Sequence, residues 1–197
     1  MNLLTDKPPK YVDIAGERVE LLTDYRRVLI FIKAHDDEEL DTSGRLELLL
    51  KLFFKKEPCN LNAAIIYIMK TYLLGGSPFA DTALKRKAKK AAKIVFDYDI
   101  DSARIYASFW QQYRIDLTKA KLHWYVFKAL FEGLNEQTTF RQIVNFRQMR
   151  KKDVPKEMRQ EYADALEELK IPLAHGPRRS AKEIEAELIE RASHVRK

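Results

Sequence analysis

Short apolar runs at two different periods divide the chain into predicted elements. Tyr11, Val12 and Ile14 are set against Val19, Leu21 and Leu22 across Ala15 and Gly16, which predicts a short hairpin, since Gly16 can take the positive φ of a tight turn. Asp24 can cap a helix in which Val28, Leu29, Phe31 and Ile32 recur at helical spacing, up to the acidic run HDDEELD. In a second helix Leu46, Leu49, Leu50 and Phe53 share one face, and Pro58 stops it soon after. A third starts at an Asn60 cap, puts Ile65, Ile68, Met69 and Tyr72 on one side, and ends at Gly75 and Gly76.

From residue 77 to 93 large apolar side chains are scarce, and the segment reads as a basic linker or solvated helix. Alternation then returns. Ile94, Phe96, Tyr98 and Ile100 oppose Val95, Asp97 and Asp99, which predicts a half-buried strand. Two aromatic helices follow. Asp101 or Ser102 can cap the first, striped by Ala103, Tyr106, Ala107, Trp110 and Tyr113 and widened by Ile105 and Phe109. Asp116 can cap the second, with Leu122, Tyr125, Val126, Ala129 and Leu130 on one face, Trp124, Phe127 and Phe131 beside them, and Gly133 as its stop. Both are apolar around more of their circumference than one core contact requires, so each is expected to touch something on two sides.

A further helix turns Phe140, Ile143, Val144 and Met149 inward and ends in basic residues, which suits the negative end of the helix dipole. Beyond it Pro155 opens an amphipathic helix repeating Met158, Tyr162, Leu166 and Leu169. After Pro172, Gly176 and Pro177, the capping-box pair Ser180 and Glu183 begins a last helix with Ile184, Leu188, Ala192 and Val195 on one face. These four residues are candidates for self-association with a neighbouring copy. The expected fold is mainly α: a helical, bundle-like body with a small N-terminal β-hairpin and one further strand. The expected divisions are 1–76, a linker at 77–93, an aromatic-rich helical region at 94–174, and a separate helix at 175–197.

Composition narrows the function classes. With 197 residues, 46% of them hydrophobic, the chain can bury a core, and a net charge of +7 favours acidic partners. One cysteine, Cys59, allows no internal disulfide and suits a reducing compartment; it reads as a small buried apolar residue. The N-terminus has no apolar signal-like core and no run is long enough to span a membrane, so a cytosolic protein is expected.

Catalytic and metal chemistry find little support. Asp97, Asp99 and Asp101 have the spacing of the first calcium ligands of an EF-hand, but Ser102 and Ser108 stand where its Gly and bidentate Glu belong. Strand residues facing water and a helix cap account for these aspartates. His35, His123, His175 and His194 are scattered, and no phosphate loop, nucleophile elbow or dinucleotide fingerprint is present. The chain is therefore not expected to be an enzyme, and no cofactor is expected. Lys85, Arg86, Lys87, Lys89, Lys90 and Lys93 could contact phosphates, although no interleaved aromatic or recognition helix accompanies them.

The N-terminal NLLTDKPPKYVDIAGERVELLTDYR, the basic linker, FDYDIDSARIYASFWQQYRIDLTKAKLHWYVFKALFEGL and FRQIVNFRQM together resemble a group of small late proteins of long-tailed phages and prophages of Gram-positive bacteria. The resemblance runs from about residue 1 to about residue 150, and its most specific stretches are Phe109–Asp116 and Leu122–Leu134. It implies a non-enzymatic tail assembly chaperone in the host cytoplasm that binds and solubilises the tape-measure protein and forms homo-oligomers. Trp110, Tyr113, Trp124, Phe127 and Phe131 are the candidate partner surface. Two other readings stand beside it: a nucleic-acid-binding accessory protein, and a structural subunit retained in the tail.

Overall fold

The computed structural model describes residues 2–35, 40–73, 94–171, 186 and 188–190. It is mainly helical, with one small antiparallel sheet at the N-terminus. Two compact units divide the chain. The first comprises Met1–Leu84, Lys121–Glu132 and His175–Lys197, and the second Lys85–Ala120 with Gly133–Ala174. The region 94–174, read from the sequence as continuous, is thus distributed over both, because residues 121–132 pack with the N-terminal elements.

In the first unit, β1 (Tyr11–Ile14) and β2 (Glu17–Glu20) pair with Val12 opposite Val19. Ala15 and Gly16 both have positive φ, as a tight hairpin turn of right-handed twist requires, and Asp13 accepts the Gly16 amide. Asp24 accepts the Arg26 amide at the start of α1 (Tyr25–His35). Helix α2 (Thr42–Phe53) is capped by Asp41, which accepts the Gly44 amide. Its buried side is Leu46, Leu49, Leu52 and Phe53, while Leu50, expected inward, is half-buried.

Asn60 caps α3 (Leu61–Ile66), whose last turns widen into a π-helix over Tyr67–Tyr72. Widening does not spoil the apolar face: Ile65, Ile68, Met69 and Tyr72 are all buried. Helix α5 (Trp124–Glu132), which follows α4 (Ser102–Tyr113) of the second unit in the chain, completes this core. Its Phe127 stacks on Tyr25 at 4.2 Å, and Tyr125 meets Tyr72. The Trp124 amide donates to the Thr23 carbonyl and Tyr25 to that of Leu122, so the entry to α5 is stitched to the entry to α1.

The second unit holds α4 (Ser102–Tyr113), α6 (Thr139–Gln148) and α7 (Arg159–Glu168). The strand expected at 94–100 does not form. Asp97 accepts the amides of Asp99 and Ile100, and Asp101 accepts that of Asp97, which turns the chain into α4 and leaves no straight segment to pair. Asp116 caps a turn by accepting the Thr118 amide, and α5 begins only at Trp124, later than expected. Met149 and Met158, expected inward, are exposed, and Tyr162 instead anchors α7 by donating to the Met149 carbonyl at 2.6 Å.

Candidate functional site

Helix α4 has two apolar sides and only one is covered. Ile105, Ser108 and Phe109 are buried, and α4 packs on α6. The other side carries Ala103, Tyr106, Ala107 and Trp110, all exposed, at the spacing that puts residues on one helical face. Trp110 is 47% exposed and Tyr106 37%, and Ile100, in the turn before the helix, is 45% exposed. Tyr106 donates to a carboxylate oxygen of Asp116 at 3.3 Å, which steadies the ring along one edge of the stripe. Tyr113, half-buried, meets Phe109 edge-on at 5.6 Å.

The support beneath this stripe is polar and well paired. Ser108 donates to the Arg104 carbonyl at 2.7 Å and accepts the Phe140 amide at 3.2 Å, so α4 supplies a cap to the first turn of α6. Gln112 donates to the Gly133 carbonyl and accepts the Asn135 amide, tying the end of α4 to the chain that leads into α6. At the other end, Asp101 and Arg147 form a buried two-pronged ion pair of 2.6 and 3.1 Å. Arg147 also donates to the carbonyls of Leu169 and Val95, and Arg104 adds a third bond to Asp101. Four chain segments meet at this pair, so α4 is held as a rigid platform.

Of the expected partner surface only Trp110 is exposed. Trp124, Phe127 and Phe131 are buried and belong to the core of the first unit, a correction with a clear cause: α5 is wrapped by the elements around it and stacks its rings in series. Trp124 donates to the Leu73 carbonyl, as does Lys128, so both serve the end of α3. Burial lowers the pKa of Lys128. Cys59, expected buried, is exposed, because Glu17 draws its amide to the hairpin edge. Asp101 stands at the N-cap position of α4, as expected, but its carboxylate is fully buried and makes no cap bond there.

His123 is a structural group. Its Nδ1 accepts the Tyr125 amide and its Nε2 lies 3.2 Å from the Pro9 carbonyl, so Nε2 carries the proton; burial lowers its pKa. Among the described residues no group of three or more His, Cys, Asp or Glu side chains could hold a metal ion, and no helix is long and apolar enough to cross a membrane. Lys85, Arg86, Lys87, Lys89 and Lys90 lie outside the described residues, as do Ile184, Ala192 and Val195. Leu188, the remaining member of that C-terminal face, is helical and 1% exposed.

Sequence reasoning singled out Trp110 but gave Tyr106, Ala103, Ala107 and Ile100 no part in the surface, and it missed the Asp101–Arg147 pair. The signal for the pair was Arg147 itself, which stands three residues after Val144 and seven after Phe140, on the inward side of α6.

Fold and surface together define a small, mainly helical protein that presents an apolar helix face on a braced platform. The chain belongs to the family described as Bacteriophage Gp15 protein, whose model matches residues 4–171. No curated protein matches it, and no solved structure does.

Proposed function

We propose that this phage protein is a tail assembly chaperone, acting by binding rather than catalysis, that holds apolar helical segments of the tape-measure protein soluble in the host cytoplasm until the tail tube forms around them. The exposed stripe of α4 carries the reading. A long helical client has apolar faces that would aggregate if left bare, and an amphipathic helix binds by laying such a face against a complementary apolar one. Ala103 and Ala107 let a client backbone come close, while Trp110 and Tyr106 supply large rings with little rotamer freedom to lose. The ion pair and the Ser108 cap keep that face preformed, which reduces the entropy cost of binding.

Co-expression with the tape-measure protein of the same phage tests the reading. Soluble tape measure in complex with this chain, lost when Trp110→Ala replaces it, is the expected outcome. Tape measure that stays insoluble beside well-folded wild-type chain would overturn it. Mass spectrometry of purified particles separates a chaperone, absent from them, from a retained tail subunit.

A further inference from the structure

We propose that the client helix received by α4 is an acidic one, with Asp or Glu beside its apolar row where that row meets Arg114; this rests on the chaperone reading and names the chemistry of its partner. Trp110 and Arg114 stand one turn apart, and the Arg114 amide donates to the Trp110 carbonyl at 3.1 Å. Both are exposed, and among the described residues the Arg114 side chain makes no hydrogen bond or ion pair. The exposed face that runs from Ala103 through Tyr106, Ala107 and Trp110 therefore ends in an uncompensated positive charge. Tryptophan and arginine are the residues that most often anchor a binding surface, the ring through its area and the guanidinium through a two-pronged grip on a carboxylate.

Arg114 also sits where an arginine is not the easy choice. It ends α4 in the left-handed region at φ 56°, a conformation that Gly or Asn adopts with less strain. A positive charge there suits the negative end of the helix dipole, yet the guanidinium is left in water with no carboxylate to hold. The acids nearby are already engaged. Asp101 is buried against Arg147 and Arg104, and Asp116 accepts Tyr106 and Thr118 and pairs with Lys119 at 3.4 Å. Lys119, its side chain 86% exposed, adds a second cation beside Asp116. Asp99, exposed before the first turn, lies at the opposite end of a 12-residue helix, about 18 Å long. The Trp110 end of the face is thus positive, which favours an acidic client segment and disfavours a basic one through like charge.

Two synthetic amphipathic helical peptides with the same Leu and Ala face, one flanked by Glu and the other by Lys, are the probes, titrated into the full chain at low salt. The Glu peptide is expected to bind about fivefold or more tightly than the Lys peptide, and added salt should narrow the gap. Arg114→Gln should weaken that preference and Arg114→Glu should reverse it. Because the Arg114 side chain is exposed and unpaired, both variants should keep the wild-type circular dichroism spectrum. Equal affinity of the wild-type chain for the two peptides, or a preference that Arg114→Glu leaves unchanged, would overturn the proposal and leave the chaperone reading standing. Failure of both peptides to bind the wild-type chain would overturn that reading and this inference with it.

Discussion

Asp101 and Arg147 lose their water together, and what compensates them is geometry: two parallel bonds between them, a third from Arg104 to Asp101, and two carbonyls that accept two further guanidinium N–H groups. Removing one partner leaves the other charge buried without its counter-ion. Asp101→Ala is therefore expected to cost about 3–5 kcal/mol in urea unfolding of the second unit. His123 sets a second expectation. Burial lowers its folded pKa below that of the unfolded chain, so the unfolded state takes up a proton first as pH falls. Its contribution is fully present above the ordinary imidazole range and is lost as pH falls through that range to the folded value. Protonating Nδ1 would also break its bond from the Tyr125 amide. Thermal midpoints should drop between neutral and mildly acidic pH, and His123→Gln should flatten that drop.

Helices α4 and α5 look alike in sequence and differ in what covers them. Trp124 is buried and bonded to the Leu73 carbonyl, so Trp124→Ala is expected to cost about 3–5 kcal/mol. Trp110→Ala should cost clearly less, about 1–2 kcal/mol, since nearly half of the residue already faces water. Denaturant titration of the two variants checks both. Ser108→Ala removes the partner of the Phe140 amide and should cost about 1–2 kcal/mol, read in the same way. The hairpin, the Asn60 cap and the buried face of α3 were legible because local signals agreed: turn chemistry with alternation, or a cap with a helical stripe. The phase of α4 was not legible. Its two sides are about equally apolar, and the buried side includes the polar Ser108, so periodicity alone could not say which faces inward. The strand expected at 94–100 failed for a related reason, since side-chain bonds from Asp97 and Asp101 override a weak alternation.

At the scale of the whole molecule, the chain crosses between its two units instead of completing one before the other. Residues 121–132 return to the N-terminal unit, where they bury the aromatics that made the second helix look like a surface. That left the candidate site half legible. Trp110 was found from its aromatic neighbourhood, whereas Trp124, Phe127 and Phe131 needed the fold to show them as core. The second unit keeps the exposed stripe, and the account turns on whether that stripe holds a client. The most direct measurement is isothermal titration of a soluble helical fragment of the tape-measure protein into wild-type chain and into Trp110→Ala. The account predicts a loss of affinity of about tenfold or more while the variant stays folded at the temperature of the titration. Equal affinity for both would contradict it.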